Sequence, residues 1–349
     1  MRALYLLPLL LAVPAVAEIP TPERPLTDPK SLVSPSDRLA APVPLDDLVF
    51  SRGMLGVTWS ADGRRLFVST NLTGRYNIWR TDTAGSWPVQ LTQSEDAQQG
   101  LVASPDGRTL YYRQDKGGNE RYDVYAVPTD GGAPRNLTNT PDIREDGLVI
   151  APDGRSIALW TKHGQLGAIN AAVMDVASGK VRELTNEADT SWEWSPVAWA
   201  DGGKAIIANR SFADGSAGEV WKIDVASGKA TKILGKPDVI YNASGATPDG
   251  SAIAITTNEQ TKQLHAALYR AASGALETLK PTPWEQQSSA ISPDGRSMLV
   301  LTGEDGRQAV ETVDVATRAE HPLALPPGVN FAEAQPFSPD SRSLLLRAG

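Results

Sequence analysis

Short apolar runs separated by turn-forming residues dominate the pattern of this chain. In one stretch, residues 100–103 are apolar, 109–113 form a second run after a polar turn, and 122–127 alternate between apolar and polar positions. Residues 134–138 follow the next turn as a fourth segment. Short runs that alternate with a period of two are typical of half-buried strands. The pattern therefore predicts four short antiparallel strands joined by turns.

The same arrangement returns along the chain, and each copy carries a phrase of the type Ser-Pro-Asp-Gly-Arg. The phrase occurs seven times, with anchor residues Asp62, Asp106, Asp153, Asp201, Asp249, Asp294 and Asp340. The steps between successive aspartates are 44, 47, 48, 48, 45 and 46 residues. A period in this range is typical of a β-propeller with one four-stranded sheet per repeat. We therefore predict an all-β fold, a seven-bladed β-propeller of four-stranded antiparallel blades.

The repeated aspartates have a structural explanation. An Asp-Gly pair between two strands favours a tight hairpin, because glycine accepts a positive φ. The aspartate side chain accepts hydrogen bonds from nearby backbone N–H groups and holds the turn. A ring of metal or substrate ligands is the functional alternative. Turn chemistry explains all seven positions, so we interpret the aspartates as structural.

The seventh repeat is incomplete. Residues 334–337 and 343–346 supply its first two strands, and the sequence stops at Gly349. A terminal edge strand rich in leucine favours aggregation, which native proteins avoid. In one interpretation residues 48–50 supply a further strand; in the other, which we favour, the chain is a piece of a longer protein. We therefore expect the last blade to be truncated.

The first 43 residues do not fit the repeat. Arg2, the apolar run 4–13 and the small residues 15–17 predict a signal peptide over residues 1–17. Residues 18–43 are rich in proline and charge and are predicted to form a linker. The propeller is expected over 44–349. No apolar run is long enough to span a membrane, so we expect an exported product, periplasmic or secreted.

Charge and motifs exclude several function classes. The formal net charge is −8 and there is no basic run, so nucleic acid is not an expected partner. No serine has glycine both two residues before and two residues after it, so the Gly-x-Ser-x-Gly elbow of a hydrolase is absent. The three histidines, His163, His265 and His321, are isolated in sequence. We predict no catalytic residue, cofactor or metal in this chain.

Three sequence features are candidates for contact with a ligand or a second domain. Trp192 and Trp194 are spaced to share one face of a strand, either at a peptide-binding mouth or in blade packing. The polar loop 116–121 either faces a partner domain or is a solvated hairpin tip. The candidate contacts in that loop are Lys116, Asn119, Glu120 and Arg121. Residues 142–146 carry three carboxylates and are predicted to form a solvated acidic loop.

Two segments resemble the N-terminal propeller of the prolyl oligopeptidase family of serine peptidases, in its dipeptidyl and acylaminoacyl peptidase-like branch. They are residues 44–48, Pro-Leu-Asp-Asp-Leu, and residues 114–125, which contain Gly-Gly-Asn-Glu. The repeated phrase is shared with TolB-type periplasmic propellers. The resemblance implies an α/β-hydrolase domain with a Ser-Asp-His triad over one mouth of the propeller. The propeller of such an enzyme admits short peptides and excludes folded proteins.

Three functions follow from these observations. The first is a non-catalytic gating propeller of an exported serine peptidase, acting on short peptides and inactive without the hydrolase domain. The second is a stand-alone TolB-like periplasmic propeller that serves as a scaffold for a protein partner. The third is a propeller enzyme with a site in its central channel, which the scarcity of histidine disfavours. We favour the first, because the Gly-Gly-Asn-Glu segment is more specific than the repeated phrase.

Overall fold

Strands and turns make up the part of the chain that the computed structural model describes, residues 51–280, 282–304, 306–325 and 330–348, in which there is no helix. The predicted signal peptide (1–17), the predicted linker (18–43) and residues 44–50 lie outside the described residues. The chain divides into two units, Met1–Ser51 and Arg52–Gly349, and all described strands belong to the second. The all-β class predicted from the repeat is confirmed.

Each repeat supplies its strands in the same order. The first strands of the seven repeats are β1 (Met54–Trp59), β5 (Gln98–Ala103), β9 (Ile143–Ile150), β13 (Trp192–Ala200), β17 (Tyr241–Ala246), β21 (Gln286–Ile291) and β25 (Asn330–Phe337). The second strands follow the Asp-Gly turns and are β2 (Arg65–Thr70), β6 (Thr109–Gln114), β10 (Ser156–His163), β14 (Ala205–Phe212), β18 (Ala252–Thr257), β22 (Ser297–Glu304) and β26 (Leu344–Ala348).

The third and fourth strands are described for the first six repeats. The third strands are β3 (Asn77–Asp82), β7 (Asp123–Pro128), β11 (Ile169–Asp175), β15 (Gly218–Asp224), β19 (His265–Arg270) and β23 (Arg307–Asp314). The fourth strands are shorter and are β4 (Val89–Gln90), β8 (Arg135–Asn136), β12 (Val181–Glu183), β16 (Ala230–Leu234), β20 (Ala275–Thr278) and β24 (Glu320–Pro322).

Successive strands of a repeat pair in antiparallel order. Four repeats form separate four-stranded sheets, β1–β4, β5–β8, β17–β20 and β21–β24. Strands β9–β16 form one eight-stranded sheet, because a parallel bridge between Ile169 and Glu193 joins the third repeat to the fourth. Strands β25 and β26 form a two-stranded sheet. The propeller is confirmed, whereas the count of seven blades stays a prediction because the third and fourth repeats are not separate sheets.

The Asp-Gly phrases form the hairpins between first and second strands. In the first repeat, Asp62 Oδ1 accepts hydrogen bonds from Ser60 Oγ at 2.6 Å and from the backbone N of Arg64 at 3.1 Å. These bonds, with that of Ser60 the stronger, hold the pKa of Asp62 below its usual value. Gly63 has a φ of 67°, a conformation that most side chains resist. The second, sixth and seventh repeats copy the serine–aspartate contact at 2.6 Å.

Other copies of the phrase depart from this geometry. Asp201 has a φ of 52°, and its carboxylate forms an ion pair with Lys222 at 2.6 Å. In the seventh phrase Ser341 takes the place of glycine and has a φ of 62°. In the fifth phrase, hydrogen bonds to the carboxylate lower the pKa of Asp249 to about 2, and the bond with Thr247 has the largest effect. Asp249 bonds within its own hairpin, to Ser251, whereas Asp201 bonds to the third strand of its repeat.

The apolar core lies between repeats rather than within them. Six clusters of buried side chains each join one repeat to the next. For example, Ile78 of the first repeat shares a cluster with Tyr112 of the second, and Leu268 of the fifth shares one with Met298 of the sixth. A sheet must bury its apolar faces against a neighbouring layer. Each repeat therefore depends on the repeats that flank it.

The first and seventh repeats meet mainly through hydrogen bonds. Thr58 Oγ1 lies 3.4 Å from Gln335 Oε1, and Trp59 Nε1 donates to the carbonyl oxygen of Pro336 at 3.3 Å. A guanidinium N–H of the last strand, from Arg347, donates to the backbone of β1 at 3.3 Å. Among the described residues, none of the six buried clusters spans this junction. The ring is therefore closed with less apolar packing here than elsewhere.

Residues 142–146 do not form the solvated acidic loop predicted from their charges. Strand β9 begins at Ile143, and Glu145 is fully buried, with an exposed fraction of 0%. Asp146 is mostly buried and forms ion pairs with Arg113 and, at 3.4 Å, with Arg144. The prediction is wrong because a strand turns alternate side chains to opposite faces, and the charges alone do not show which face is buried.

Gly245 tests the close approach of neighbouring repeats. A Cβ atom at this position would lie 2.7 Å from the backbone N of Ile291, and a backbone atom cannot rotate away. Gly245→Ala is expected to lower the free energy of unfolding by about 1–3 kcal/mol in urea titrations. Gly56→Ala is the matched control, because Gly56 also lies on a first strand and nothing lies within 4 Å of its Cβ position. Equal effects of the two changes would contradict this packing.

Candidate functional site

The first strands of the seven repeats converge on one central cavity with a volume of about 490 Å³. It lies at the ends of the first strands that lead into the Asp-Gly turns. Its lining is mostly small or apolar and comprises Trp59, Ala61, Ala103, Ser104, Pro105, Val149, Ile150, Val197, Ala198, Trp199, Ser244, Gly245, Ala246, Ala290, Ile291, Pro293, Ala334, Gln335, Phe337 and Pro339. Among these described residues, none carries an ionisable side chain.

The two indoles of the cavity connect neighbouring repeats. Trp199 Nε1 donates to the carbonyl oxygen of Val149, in the preceding repeat, at 2.9 Å. Trp59 Nε1 bonds in the same way to Pro336 of the seventh repeat. Each indole therefore places its ring beside the cavity while its polar N–H is occupied. The rings supply flat apolar surface, which suits apolar and aromatic side chains of a ligand.

The polar side chains of the cavity are also occupied. Ser104 Oγ bonds to Asp106 at 2.6 Å, and Ser244 Oγ bonds to Ser288 Oγ at 2.8 Å. Gln335 Oε1 accepts from Thr58, as described above. The cavity therefore offers shape, apolar surface and backbone atoms. Among the described lining residues, no side chain is a carboxylate, imidazole or amine, and the hydroxyls of Ser104 and Ser244 are engaged in hydrogen bonds.

Trp192 and Trp194 lie away from the central cavity. Both are on β13, and Trp194 is buried against Trp221, with ring centroids 5.4 Å apart. Trp192 packs edge-on against Phe212 at 5.2 Å. The guanidinium of Arg210 stacks over the Trp192 ring at 4.1 Å. A third tryptophan of β13, Trp199, lies at the other end of the strand and lines the cavity.

Arg210 is a feature that the sequence interpretation missed. Its guanidinium forms ion pairs with Glu187 at 2.8 Å and with Glu219 at 3.2 Å. Both carboxylates are mostly buried, which by itself raises their pKa values. Hydrogen bonds from Arg210 to both carboxylates, and from Lys232 to Glu219, outweigh burial and hold the pKa values below the usual value. Glu187 lies in the connection between β12 and β13, and the other residues lie on separate strands of the fourth repeat, so no local motif marks them.

The loop 116–121 connects β6 to β7 and is fixed to its own repeat and to the turn before the third repeat. Residues 116–120 are exposed, among them Lys116, Asn119 and Glu120. Buried Asp115 accepts a hydrogen bond from the backbone N of Glu120 at 2.9 Å. Arg121 forms an ion pair with Asp142, in the turn before the third repeat, at 2.8 Å. The loop therefore presents polar groups outward from a constrained backbone.

Aromatic rings and arginines pack beneath this loop. The guanidinium of Arg113 lies 4.5 Å from the centroid of the Tyr122 ring, and that of Arg144 lies 5.1 Å from the same ring. Arg144 also lies 5.2 Å from the Trp160 ring. Such stacking contributes on the order of 1 kcal/mol at partly exposed sites. The contacts join the second and third repeats, which is why sequence spacing did not reveal them.

The loop 116–121 and the central cavity lie at opposite ends of the strands. Gln98, which begins β5, pairs with Gln114, the last residue of β6. The cavity is instead lined by Ala103 and Pro105, at the far end of β5. Trp192 begins β13 and therefore lies at the loop end. The candidate contacts predicted from the sequence therefore lie at one end of the strands, and the central cavity lies at the other end.

The described residues contain no group of three or more histidine, aspartate or glutamate side chains placed to hold a metal ion. His163 contacts Glu183 at 2.8 Å, whereas His265 contacts Thr261 at 3.1 Å. No helix of the described part of the chain is long and apolar enough to cross a membrane.

Residues 50–199 match the family model described as the TolB beta propeller domain. Over these residues the chain is similar to a TolB-type β-propeller. The structure of TolB from Acinetobacter baumannii matches with a TM-score of 0.52 and 19% identity, over 86% of this chain and 66% of that one. A prolyl endopeptidase matches with a TM-score of 0.65 and 11% identity, over 79% of this chain and 44% of that one. The chain thus spans less than two thirds of the length of either structure.

An oligogalacturonate lyase, solved in complex with manganese, also shares the fold. Its TM-score is 0.62 at 15% identity, over 81% of this chain and 82% of that one. Identities this low show the fold of the TolB-like propeller and leave its function to be argued from its own residues.

Trp199 tests the connection between repeats at the cavity. Trp199→Phe keeps most of the ring and removes the N–H that bonds to Val149, leaving a half-buried carbonyl without that donor. The free energy of unfolding is expected to fall by about 1 kcal/mol or more in urea titrations. Trp87→Phe is the control, because Trp87 is 86% exposed. A loss no larger than that of the control would show that the indole bond is dispensable.

Proposed function

We propose that this chain is the non-catalytic, substrate-gating propeller of an exported serine peptidase of the prolyl oligopeptidase family. In this proposal the peptidase acts on short peptides, and the propeller admits them to an α/β-hydrolase domain. The observation that carries the proposal is the central cavity of about 490 Å³, whose described lining holds no ionisable side chain. Such a cavity admits a polypeptide segment without cleaving it.

The dimensions of the cavity support a peptide ligand. Ligand pockets in proteins commonly measure about 300–1,000 Å³ and are mainly apolar with few polar groups. The central cavity falls in this range, and its indole and proline rings suit apolar side chains. A folded domain is too wide to enter a space of this volume. The cavity therefore discriminates by size and by unfolded state, which is what a gate requires.

The loop 116–121 supports a second docking face at the opposite end of the strands. Its backbone is held by Asp115 and by Arg121, while Lys116, Asn119 and Glu120 point into solvent. A constrained polar loop suits an interface with another domain, because little conformational entropy is lost on docking. We propose that the hydrolase domain, or a protein partner, contacts this end of the propeller.

We also propose that the propeller has seven blades and that the seventh is incomplete. The support is that all seven repeats contribute lining residues to the central cavity. The bridge between Ile169 and Glu193 merges two blades into one sheet by a single residue pair. Export to the periplasm or beyond, which the residues 1–17 predict, is part of the same proposal.

A stand-alone TolB-like scaffold is the second candidate function. It is favoured by the family match over residues 50–199 and by the shared fold with TolB. In this case the ligand is a periplasmic protein, and no peptidase accompanies the propeller. Both candidates use the same non-catalytic binding propeller, and they differ in what is attached to it.

The nucleotide sequence that follows the codon for Gly349 separates the two candidates. The gating proposal expects the reading frame to continue into a hydrolase domain with a Gly-x-Ser-x-Gly elbow. It also expects no peptidase activity from the present chain alone. A stop codon at that point would exclude the gating function for this product and would support the scaffold.

A plugged cavity tests the peptide site. Ala198→Trp fills the space between the first strands and is expected to reduce retention of short unstructured synthetic peptides by about tenfold or more, equivalent to about 1.4 kcal/mol of binding free energy. Retention is measured by native mass spectrometry. Ala84→Trp, in an exposed turn, adds the same ring away from the cavity and is the control. Equal retention by both variants would place peptide binding elsewhere.

A further inference from the structure

Two carboxylates approach one another at the joint between the second and third repeats. Glu145, on β9, is fully buried, and Asp123 begins β7. The hydroxyl oxygens of Thr138 and Thr140 lie between them. Thr138 Oγ1 is 3.0 Å from Glu145 Oε2 and 3.3 Å from Asp123 Oδ1. Thr140 Oγ1 is 2.5 Å from Glu145 Oε1 and 3.1 Å from Asp123 Oδ1.

The number of hydrogen atoms decides the protonation of this group. Four oxygen–oxygen contacts join the two hydroxyls to the two carboxylates, but two hydroxyls supply only two hydrogen atoms. If both carboxylates were ionised, two of the four contacts would be repulsive pairs of acceptors. One additional proton on a carboxylate supplies a third donor. The geometry of Glu145, Asp123 and the two threonines is therefore that of a protonated pair.

Asp123 is the member of the pair that accepts N–H hydrogen bonds. It accepts N–H hydrogen bonds from the backbone of Thr140 at 2.8 Å and from the side chain of Asn136 at 2.6 Å. Among the described residues, the hydrogen-bond partners of the Glu145 side chain are the two threonine hydroxyls. N–H donors stabilise a carboxylate, and their absence in a buried site disfavours it. The extra proton therefore lies on Glu145.

The corresponding positions of other repeats carry amides. Gln98 in the second repeat corresponds to Glu145 in the third. Its side-chain oxygen accepts a hydrogen bond from the Thr92 hydroxyl, as that of Glu145 does from the Thr138 hydroxyl. The backbone N of Gln98 donates to the carbonyl oxygen of Tyr76, just before the third strand of the preceding repeat, and that of buried Gln286 donates in the same way to Leu264. Asn77 takes the place of Asp123 in the first repeat. A neutral Glu145 presents one O–H donor where glutamine presents an N–H donor, so it matches the hydrogen bonding of the amides at these positions.

The other charged groups around Glu145 are engaged elsewhere. Arg144 and Asp146 flank it on β9 and bond to each other on the opposite face of the strand. Across the sheet, Glu145 pairs with Thr161, whose hydroxyl donates to Glu183, and Glu183 also contacts His163. Among the described residues, no lysine, arginine or histidine forms an ion pair with Glu145. No cation therefore compensates an ionised Glu145.

We propose that Glu145 and Asp123 hold one proton between them in the folded propeller. The joint between the second and third repeats is then a proton-binding site, and the fold weakens when this proton leaves. The site is independent of the proposed function, because neither carboxylate lines the central cavity.

The pH range of the effect follows from burial. Burial raises the pKa of Glu145 from 4.5 to about 7. The hydrogen bonds from Thr140 and Thr138 act in the opposite direction, and the charge of Asp123 adds to the increase. Folding therefore takes up a proton between these two values. The stabilisation is complete below pH 4.5 and is lost as the pH rises through about 7. Above that range the contribution stays absent.

Glu145→Gln tests the proposal by removing the proton equilibrium and installing the amide found at Gln98. Urea unfolding of both proteins is measured from pH 4.5 to pH 8. Relative to the variant, the unfolding equilibrium constant of the unmodified chain is expected to rise on the order of a hundredfold across this range. Glu95→Gln is the control, because the Glu95 side chain is 85% exposed. Parallel pH profiles for the unmodified chain and Glu145→Gln would overturn the proposal.

A direct titration covers the case in which Glu145→Gln fails to fold. The chain is labelled with carboxyl-¹³C glutamate, and NMR follows each resonance with pH. One resonance is expected to titrate near pH 7 and to move to lower pH in Asp123→Asn, which removes the neighbouring charge. Titration of every glutamate within about one unit of its ordinary pKa would overturn the proposal.

Discussion

The burial of each sheet against its neighbour is the constraint on which this structure depends. Six buried clusters join consecutive repeats, so the apolar face of one repeat is completed by the next. The junction of the first and seventh repeats relies instead on hydrogen bonds such as Thr58 to Gln335 and Trp59 to Pro336. Stability is thus distributed along a row of interfaces and is weakest where the row closes.

The central cavity is a consequence of the same packing. Where first strands approach one another closely there is room only for a small residue, as Gly245 against Ile291 shows. Larger rings enter where their polar atoms bond to a neighbouring repeat, as for Trp199 with Val149. Interfaces that demand small and apolar residues therefore produce an apolar cavity as well. A structural requirement of the packing thus yields a cavity whose described lining is apolar and without ionisable side chains.

Much of the fold could be predicted from sequence because it is encoded locally. The Asp-Gly phrase specifies a hairpin within five residues, and its period specifies the repeated sheets. The site depends on contacts distant in sequence. Spacing predicted that Trp192 and Trp194 share a face, but it could not show that Trp199 reaches the cavity. Likewise, the charge of Glu145 gave no sign of burial, because its neighbours come from another repeat.

The central claim is that the propeller accepts unfolded polypeptide and rejects folded protein at its cavity. It is tested most directly by offering one sequence in two forms, as a free unstructured peptide and as a constrained loop of a folded carrier protein. Dissociation constants for both are measured by isothermal titration calorimetry. The account predicts binding of the free peptide and no measurable binding of the folded form. Equal affinity for the two forms would contradict a gate and would point to recognition on the outer surface.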